Sequence, residues 1–516
     1  MKRIYLLFLI ILISLNKVNA QSFQKTIGGG SYDTPVKMLY DNDSYIVAGN
    51  SNSDVSGDKT VASYGMADGW VVKTDTNFSI YSQYEYGGND NDYVSDVIKV
   101  NNHYILGLSS KSDISGNKTT ENFGGSDYWI VITDESFNIL QEYEYGGSND
   151  DFISGIIPVS NERLLLYGYS YSSISGNKTT ENFGGADFWV LMVDYNGNIL
   201  WQKSFGGNND DITNSGIFFN DKIYITGTTY SDSSGNKISH LTGAPDIWII
   251  AIDTMGNIIT DKTYGGTLDE EYPSIASADN NIFVTTRSTS DISGIKTENS
   301  YGNYDYWCIK LDEECHVISD KTIGGSSSDI PTDIAFNGED IIIAGASNSP
   351  VSGNKTVGNN GNFDYWVITL NPDNWELKEQ IGFGGTDYDF TTRLLLDSHL
   401  VIAGTSLSNA GADKTENSRG QTDFWLVKFL DINDMKIQTN DDKFLVFPNP
   451  VNSDLIIKTN ETSNTVTLYD VSGKSILSKV IYKGKNKIDI STLQTGTYIL
   501  KITGQNSEQT QKIIKQ

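Results

Sequence analysis

One unit of 59 or 60 residues recurs seven times along this chain and constrains its fold more than any other feature. An Asp-x-Trp triplet marks every copy, at Asp68/Trp70, Asp127/Trp129, Asp187/Trp189, Asp246/Trp248, Asp305/Trp307, Asp364/Trp366 and Asp423/Trp425. A Gly-Gly pair recurs with the same period and begins at Gly28, Gly87, Gly146, Gly206, Gly265, Gly324 and Gly384. A short unit of this kind cannot bury its own faces, so the copies must stack, and radial stacking closes into a propeller.

A single copy, residues 146–206, shows what each unit contains. Alternating and apolar runs predict strands over residues 153–159, 164–170, 188–194 and 199–205. A long loop over residues 171–186 separates the second and third strands, and Asn196-Gly197 forms a hairpin turn before the fourth. Four short antiparallel strands are the content of one propeller blade.

The third strand of each copy is apolar on both faces, as in Trp189-Val-Leu-Met-Val193. A strand with one solvated face would alternate apolar and polar residues, so each sheet is expected to be covered on both sides. The Trp of the triplet is then a group that packs one blade against the next. This structural role is predicted for Trp70, Trp129, Trp189, Trp248, Trp307, Trp366 and Trp425.

The ends of the repeat region predict how the ring closes. Residues 23–27, before the first Gly-Gly pair, resemble a fourth strand, whereas the last third strand, residues 424–430, is followed by none. The N-terminal strand is therefore expected to complete the last blade and to remove the open sheet edges. We predict an all-β chain: a seven-bladed β-propeller over residues 21–430, closed by an N-terminal strand and followed by a small C-terminal β-sandwich.

The chain ends differ from the repeats in composition. Residues 1–20 have the basic start, the apolar run and the small-residue cleavage site, ending at Ala20, of a secretory signal peptide. Residues 431–442 form a polar linker, and residues 443–516 form a separate β domain. No other segment is long and apolar enough to predict a transmembrane helix.

Charge narrows the classes of partner. The net charge is −28, and subtracting the +3 of residues 1–20 and the +3 of residues 441–516 leaves −34 on residues 21–440. An acidic surface argues against nucleic acid and anionic membranes as partners, although it is also typical of soluble exported proteins. Cys308 and Cys315 are seven residues apart in largely extended chain, which places the sulfurs too far apart for a disulfide, so two free thiols are expected.

The repeat resembles the bacterial β-propeller repeat family known as SBBP over about residues 22–430. The matching pieces are Asp187-Phe-Trp189, Gly197-Asn198, Gly206-Gly-Asn-Asn-Asp-Asp211 and Ile223-Tyr-Ile-Thr-Gly227-Thr-Thr229. The Ser-Gly-Asn-Lys-Thr loops depart from that family, which commonly has a Pro-containing segment there. The resemblance implies the fold and no ligand.

The C-terminal segment resembles the type A C-terminal sorting domain of proteins that the type IX secretion system of Bacteroidota exports. The matching motifs are Phe447-Pro448-Asn449-Pro450, residues 468–474, residues 493–501 and residues 512–516. The resemblance implies the type IX machinery as a partner, passage across the outer membrane and release or attachment at the cell surface. The alternative is an ordinary β-sandwich that serves as an appended binding module.

An acidic residue follows every Gly-Gly pair, at Asp33, Asp92, Asp151, Asp211, Glu270, Asp329 and Asp389. These residues are expected at the channel mouth, on the same face as the long loops. A ring of carboxylates there could attract a cation, calcium among them, or a basic partner. Alternatively, each carboxylate accepts backbone N–H bonds within its own turn.

A lysine recurs in every long loop, at Lys59, Lys118, Lys178, Lys237, Lys296, Lys355 and Lys414. Because the Asp of Asp-x-Trp follows nine or ten residues later, a partly exposed ion pair across the loop is one expectation. The other is a ring of lysines that faces a ligand, with Lys118 and Lys178 as candidates. Exposed Asn122, Asn182 and Tyr301 beside them would suit carbohydrate contacts.

Several residues break the repeat symmetry and are therefore candidates for catalytic groups. The fifth copy has Thr286-Arg287 where most others have Gly-x, together with Cys308, Cys315 and His316, and the fourth has His240 and Pro245. These residues lie on different elements and do not combine into a nucleophile, a base and an orienting group. The four histidines have no metal-pair spacing, and the Gly-x-Ser-x-Gly, phosphate-loop, His-Glu-x-x-His and sialidase-type Asp-box motifs are not present. No catalytic, cofactor-binding or metal site is therefore predicted.

We expect a secreted or cell-surface propeller that acts as a noncatalytic binding or adhesion module for an extracellular glycan or a surface protein, through its long-loop face. One alternative is a carbohydrate-active enzyme, a glycosidase or polysaccharide lyase, with a site in the channel. A second alternative is a surface scaffolding component without a discrete ligand.

Overall fold

The computed structural model describes residues 22–429 apart from 161, 244 and 398, and residues 444–515 apart from 448–453, 471–473, 495 and 504–507. The chain divides into two compact units that meet between residues 432 and 433. All elements assigned within the described residues are strands and turns. The predicted signal peptide and linker lie outside these residues.

The first unit consists of seven four-stranded antiparallel sheets, each running from an inner strand to an outer strand in chain order. Blade 1 comprises β2 (Asp33–Asp41), β3 (Ser44–Ser51), β4 (Asp68–Asp75) and β5 (Ile80–Tyr86). Blade 2 comprises β6 (Asp92–Val100), β7 (His103–Ser110), β8 (Asp127–Thr133) and β9 (Ile139–Tyr145). Blade 3 comprises β10 (Asp151–Ser160), β11 (Arg163–Ser170), β12 (Asp187–Asp194) and β13 (Ile199–Phe205). Blades 4 and 5 comprise β14 (Asp211–Phe219), β15 (Lys222–Thr229), β16 (Asp246–Ile252), β17 (Ile258–Tyr264); β18 (Glu270–Ala278), β19 (Asn281–Ser288), β20 (Asp305–Leu311) and β21 (Val317–Ile323). Blades 6 and 7 comprise β22 (Asp329–Phe336), β23 (Ile341–Ser347), β24 (Asp364–Leu370), β25 (Leu377–Phe383); β26 (Asp389–Leu396), β27 (Leu400–Ser406), β28 (Asp423–Phe429) and β1 (Ser22–Ile27).

The ring closes as the sequence predicts, because the N-terminal strand is the outer strand of the last blade. β1 pairs antiparallel with β28, from Ser22 opposite Phe429 to Ile27 opposite Phe424. The seven-bladed propeller with this closure is therefore confirmed.

The core lies between blades and not within them. Third strands are buried along their whole length in most blades, as the continuous apolar runs indicate. The apolar clusters join neighbouring sheets; one contains Ile46 and Val71 of blade 1 together with Leu106 and Trp129 of blade 2. All seven Trp side chains of the Asp-x-Trp triplets are fully buried in these layers.

The Gly-Gly turns and the long loops lie at one end of the blades. In blade 1, Ser51 pairs with Asp33 at the start of the inner strand and with Asp68 at the start of the third strand. The turn before Asp33 and the loop before Asp68 therefore share one face of the ring, which we call the loop face. The part of this face around the first residues of the inner strands is called the mouth.

The second unit is a small β-sandwich. Its strands are β29 (Phe444–Phe447), β30 (Asp454–Asp470), β31 (Ser475–Asp489), β32 (Gly496–Thr503) and β33 (Glu508–Lys515). They pair in the order β29-β30-β32-β33, and β31 also pairs with β30. A register shift between Thr459 and Ser463 divides the long β30–β31 hairpin into two segments. Leu455, Val466 and Leu500 are buried in its core.

Candidate binding site at the mouth of the ring

Each Gly-Gly turn is closed by the acidic residue that begins the next inner strand. In blade 1, the Asp33 carboxylate accepts hydrogen bonds from the Gly29 N–H at 2.7 Å and from the Ser51 and Ser53 hydroxyls at 2.5 and 3.0 Å. The same glycine N–H and a serine hydroxyl bind the carboxylate in the other six blades. The residues in this position are all 0% exposed: Asp33, Asp92, Asp151, Asp211, Glu270, Asp329 and Asp389. The carboxylates thus hold their own turns and do not form a solvent-facing ring.

The loop lysines are buried, so the expectation of a partly exposed ion pair with the Asp of Asp-x-Trp is wrong. Lys118 and Lys178 are each 1% exposed. Lys59 pairs instead with Glu85 at 2.7 Å, and its Nζ donates to the Ser53 carbonyl at the same distance. A buried ammonium needs several acceptors, and the loop carbonyls supply them. Comparable bonds from Nζ to loop oxygens occur in all seven blades, and in six of them Nζ lies 5.7 to 5.9 Å from the centroid of the triplet Trp ring.

The Asp of each triplet is occupied by the loop that precedes it. Asp127 accepts a hydrogen bond from the Phe123 N–H at 2.5 Å, and Asp187 accepts one from Phe183 at 2.5 Å. Burial raises the pKa of Asp127 to about 8 and that of Asp187 to about 7. In both cases the acidic residue of the next Gly-Gly turn contributes a further upward shift. The triplet Asp is therefore a structural group between blades, and no ligand reaches it.

Two of the proposed carbohydrate contacts also belong to the loop itself. The Asn122 and Asn182 side-chain amides donate to loop carbonyls, at 3.0 Å to Ser110 and to Ser170 respectively. Both are half-buried, so the expected exposure of these asparagines is wrong. Tyr301 is 44% exposed.

We found no metal centre in the part of the chain that the structure describes. No group of three or more His, Cys, Asp and Glu side chains in these ranges could hold an ion. The candidate calcium ligands are the seven buried carboxylates, and one oxygen of each accepts a hydrogen bond from the second glycine N–H of the preceding Gly-Gly pair. Cys308 and Cys315 are free thiols, and both are buried.

The repeat symmetry breaks at the mouth of blade 5, where Thr286 stands in place of the glycine of most other blades. In most other blades this second-strand position is a glycine that lies against the inner strand; a Cβ on Gly168, for example, would be 2.0 Å from the Phe152 carbonyl oxygen. Thr286 has that Cβ, and its hydroxyl donates to the Glu271 carbonyl at 2.6 Å. The pairing of β18 with β19 skips from Glu271 to Ser274, whereas other inner strands skip one residue, including that of blade 2, where Leu108 holds the same position.

The wider bulge projects Tyr272 from the inner strand. Tyr272 has a φ of 55°, a left-handed conformation that a bulky side chain rarely adopts. Its side chain is 54% exposed. Such backbone outliers concentrate at functional sites, where the surrounding structure enforces them. Next to Tyr272, the Thr286 hydroxyl donates its hydrogen bond to the Glu271 carbonyl.

Arg287 lies between two tyrosines beside this bulge. Its guanidinium carbon is 4.4 Å from the centroid of the Tyr272 ring and 4.5 Å from that of Tyr304. Its Nη2 forms an ion pair with Glu271 at 2.5 Å, and Glu271 also accepts a hydrogen bond from the Tyr230 hydroxyl at 3.0 Å. The equivalent second-strand residues in blades 1, 2 and 6 are Asn50, Ser109 and Ala346. The arrangement therefore belongs to blade 5.

Blades 3 and 4 extend this arrangement with further aromatic rings. Tyr169 and Tyr171 have ring centroids 6.3 Å apart. Tyr272 is near enough to contribute to the raised pKa of Tyr169. Tyr171 also lines an open depression of 630 Å³ with Gly124, Gly125, Ser148, Asn149 and Asp150. We name the following residues the mouth cluster: Tyr169, Tyr171, Tyr230, Glu271, Tyr272, Arg287 and Tyr304.

Two tyrosines of the mouth cluster keep their phenol protons at neutral pH. Burial raises the pKa of Tyr169 to about 12. Burial, followed by the hydrogen bond to Glu271, raises the pKa of Tyr230 to about 12 as well. A tyrosine that acts as a base or nucleophile at neutral pH needs a lowered pKa. These phenols can donate hydrogen bonds and offer ring faces.

Only part of the mouth cluster was predicted from the sequence. It singled out Thr286 and Arg287 as departures from the repeat, and the structure brings Arg287 together with residues from two other strands of the mouth. Glu271 and Tyr272 were missed, although a comparison of the seven inner strands would have shown that Glu-Glu-Tyr-Pro begins only one of them. His240 is 75% exposed beside Asp232 and lies outside the cluster, as does exposed His316 beside Asp312.

The C-terminal unit has a recognised family. Residues 445–516 match the family model described as the secretion system C-terminal sorting domain. The chain therefore carries a type IX sorting signal. Among the described residues, no helix has the length and apolar character needed to span a membrane.

Solved structures resemble the propeller in fold. BamB from Moraxella catarrhalis is 12% identical, with a TM-score of 0.38, over 84% of this chain and 97% of its own. The Dos1 propeller is 12% identical, with a TM-score of 0.39, over 79% and 96%. The polysaccharide lyase Uly1 is 10% identical, with a TM-score of 0.41, over 78% and 90%. A search of curated proteins finds no match to this chain.

Proposed function

We propose that this chain is a noncatalytic binding module, displayed at the cell surface or released, whose recognition surface is the mouth cluster. The observation that carries the proposal is the asymmetry of the mouth. All seven blades share the buried acidic turns and lysine-centred loops, yet only blades 3 to 5 place exposed tyrosines around an ion pair, that of Arg287 with Glu271. A repeated scaffold with one differentiated region is what a recognition site on a propeller requires.

The export route completes the proposal. The signal peptide, with cleavage near Ala20, would take the chain across the inner membrane, and the sorting domain would engage the type IX machinery of a member of the Bacteroidota. The propeller would then consist of SBBP-type repeats exposed outside the cell. Its ligand would be an extracellular glycan or a surface protein, and adhesion would be the consequence of binding.

A carbohydrate-active enzyme is the main alternative, since the mouth cluster contains the residue types that such enzymes use. The raised pKa values of Tyr169 and Tyr230 argue against a phenolate base at these two positions. A scaffolding component would need no differentiated mouth, and self-assembly of the purified chain would support it.

The test is a glycan array probed with the purified full chain, in parallel with binding to intact cells. Tyr272→Ala is the test variant, and Tyr32→Ala is the matched control, because Tyr32 is 50% exposed on the loop face of blade 1. We expect binding that Tyr272→Ala abolishes and Tyr32→Ala preserves. Steady release of sugar products from any bound polymer would contradict a noncatalytic role, and equal loss in both variants would contradict the site.

A further inference from the structure

The mouth repeats one polar groove on two neighbouring blades. In blade 3, the Asn149 side chain donates to the Tyr171 carbonyl at 3.0 Å, and Asp150 accepts from the Ser126 N–H at 2.9 Å. In blade 4, Asn209 donates to the Tyr230 carbonyl at 2.9 Å, and Asp210 accepts from the Ala186 N–H at 2.8 Å. The tyrosine of the groove is replaced in the other blades by Asn52, Lys111, Thr289, Asn348 and Leu407.

Three exposed tyrosines therefore follow one another on consecutive blades. Tyr171, Tyr230 and Tyr272 are 37%, 38% and 54% exposed and belong to blades 3, 4 and 5. The first two occupy equivalent positions, and the bulge of blade 5 adds the third. A repeated surface with flat aromatic faces and amide and carboxylate groups fits a ligand that itself repeats, such as a sugar chain.

The charge of the surface distinguishes between neutral and acidic sugar chains. Arg287 is paired with Glu271 at 2.5 Å, so its charge is already compensated. Asp150 and Asp210 lie beside Tyr171 and Tyr230, with Asp150 3.7 Å from the Lys111 ammonium, and residues 21–440 carry a net charge of −34. A polyanion would be repelled at long range and would find no uncompensated cation in the cluster. Carboxylates can instead accept hydrogen bonds from sugar hydroxyls.

We infer that the mouth binds a neutral polysaccharide laid across three blades, with one sugar ring against each of Tyr171, Tyr230 and Tyr272. This inference rests on the proposed binding function and names its ligand class. The chain would cross the mouth along the row of blades, and the Arg287–Glu271 pair would hold the last tyrosine in place.

The experiment is affinity gel electrophoresis of the full chain with two panels of polysaccharides. The neutral panel contains dextran, mannan, xylan and laminarin, and the acidic panel contains alginate and chondroitin sulfate. We expect retardation by a neutral polymer that is unchanged between low salt and 0.5 M NaCl. Alanine at Tyr171, Tyr230 or Tyr272 should each weaken it about tenfold or more, as loss of an aromatic anchor does. Tyr230→Phe should retain most of the affinity, and Tyr32→Ala should leave it unchanged.

The outcomes separate the two proposals. Salt-sensitive binding of acidic polymers alone, lost in Tyr272→Ala, would overturn the neutral ligand and leave the proposed binding function in place. No retardation in either panel would also overturn the inference, and the cell-binding arm with Tyr272→Ala would then decide the proposed function. Neutral binding that Tyr32→Ala weakens as much as the other variants would overturn the row of tyrosines.

Discussion

Pairs of residues at the blade interfaces explain both the regularity of the ring and the place where it fails. At five of the seven interfaces, the middle residue of an Asp-x-Trp triplet lies against the second-strand glycine of the next blade. Tyr128, for example, has its hydroxyl 2.4 Å from where a Cβ on Gly168 would be. Blade 1 has Gly69 in the first position, and blade 2 correspondingly has Leu108 in the second. A small residue in the triplet is thus matched by a large residue on the second strand of the next blade, and a large one by a glycine.

This packing predicts that a methyl group at Gly345 destabilises the chain. A Cβ there would lie 2.3 Å from the Ile330 carbonyl oxygen and 2.1 Å from the Tyr306 hydroxyl. We expect Gly345→Ala to lower the free energy of unfolding by about 1–3 kcal/mol, the range for overpacked cores. Urea denaturation measures it. Gly358→Ala is the control, because a Cβ at Gly358 would have no atom within 4 Å, and an equal loss in both variants would contradict the steric explanation.

The closing strand β1 reproduces the contacts of an outer strand formed within a repeat. In blade 1, the Trp70 indole N–H donates to Gln83 of β5 at 3.2 Å. In blade 7, the Trp425 indole N–H donates to Gln24 of β1 at 3.1 Å, and Gln24 donates to the Asp413 carbonyl at 2.7 Å. The strand that is most distant in sequence therefore completes the blade with the same side chain type.

Removal of β1 should therefore open the ring. A chain that lacks residues 22–27 exposes the edge of β28, which is otherwise fully paired. Unpaired strand edges associate with other chains, so we expect dimers or larger species in size-exclusion chromatography with light scattering. A synthetic peptide of residues 22–29 should restore the monomer. A truncated chain that stays monomeric with unchanged thermal stability would contradict closure by β1.

The elements were predictable from the sequence, whereas the mouth cluster was not. The period of the Asp-x-Trp triplets and the unpaired strand at residues 23–27 were enough to predict the blade number and the closure. The position of Tyr272 depends on a two-residue skip in the pairing of β18 with β19, which pattern alone does not reveal. The loop lysines were misjudged for a related reason, because a Lys beside Gly and Asn looks like a surface residue until the loop carbonyls that surround it are known.

At the scale of the whole molecule, the buried turns and loops of the blades stabilise the ring and leave the exposed residues of the loop face free to vary. Seven acidic turns and seven lysine-centred loops hold the ring, so a single blade can lose its regular bulge without loss of the fold.

These turns and loops also bury many carboxyl groups. Burial is the first cause of a raised pKa at six triplet aspartates. The pKa reaches about 8 at Asp127, about 7 at Asp187 and about 6 at Asp246, Asp305 and Asp364, and it is also raised at Asp423.

These raised values fix the sign of the pH dependence. An aspartate in the unfolded chain titrates near 3.8, so between pH 4 and 8 the folded chain holds protons that the unfolded chain has released. The stabilising contribution of these groups is present below pH 4 and is lost as the pH rises through 6 to 8. Lys178 and Lys414, whose pKa burial lowers to about 8, add stability only as the pH rises from 8 towards 10.5.

We therefore expect the thermal midpoint of the propeller to fall as the pH is raised from 5 to 8. Calorimetry across this range measures it. Asp127→Asn should flatten the slope, since one such proton contributes at most about 1.4 kcal/mol per pH unit. Asp194→Asn is the matched control, because hydrogen bonds from Asn198 lower the pKa of Asp194, which therefore titrates below the range tested. A midpoint that rises between pH 5 and 8, or an equal change of slope in both variants, would contradict the assignment of this pH dependence to the buried triplet aspartates.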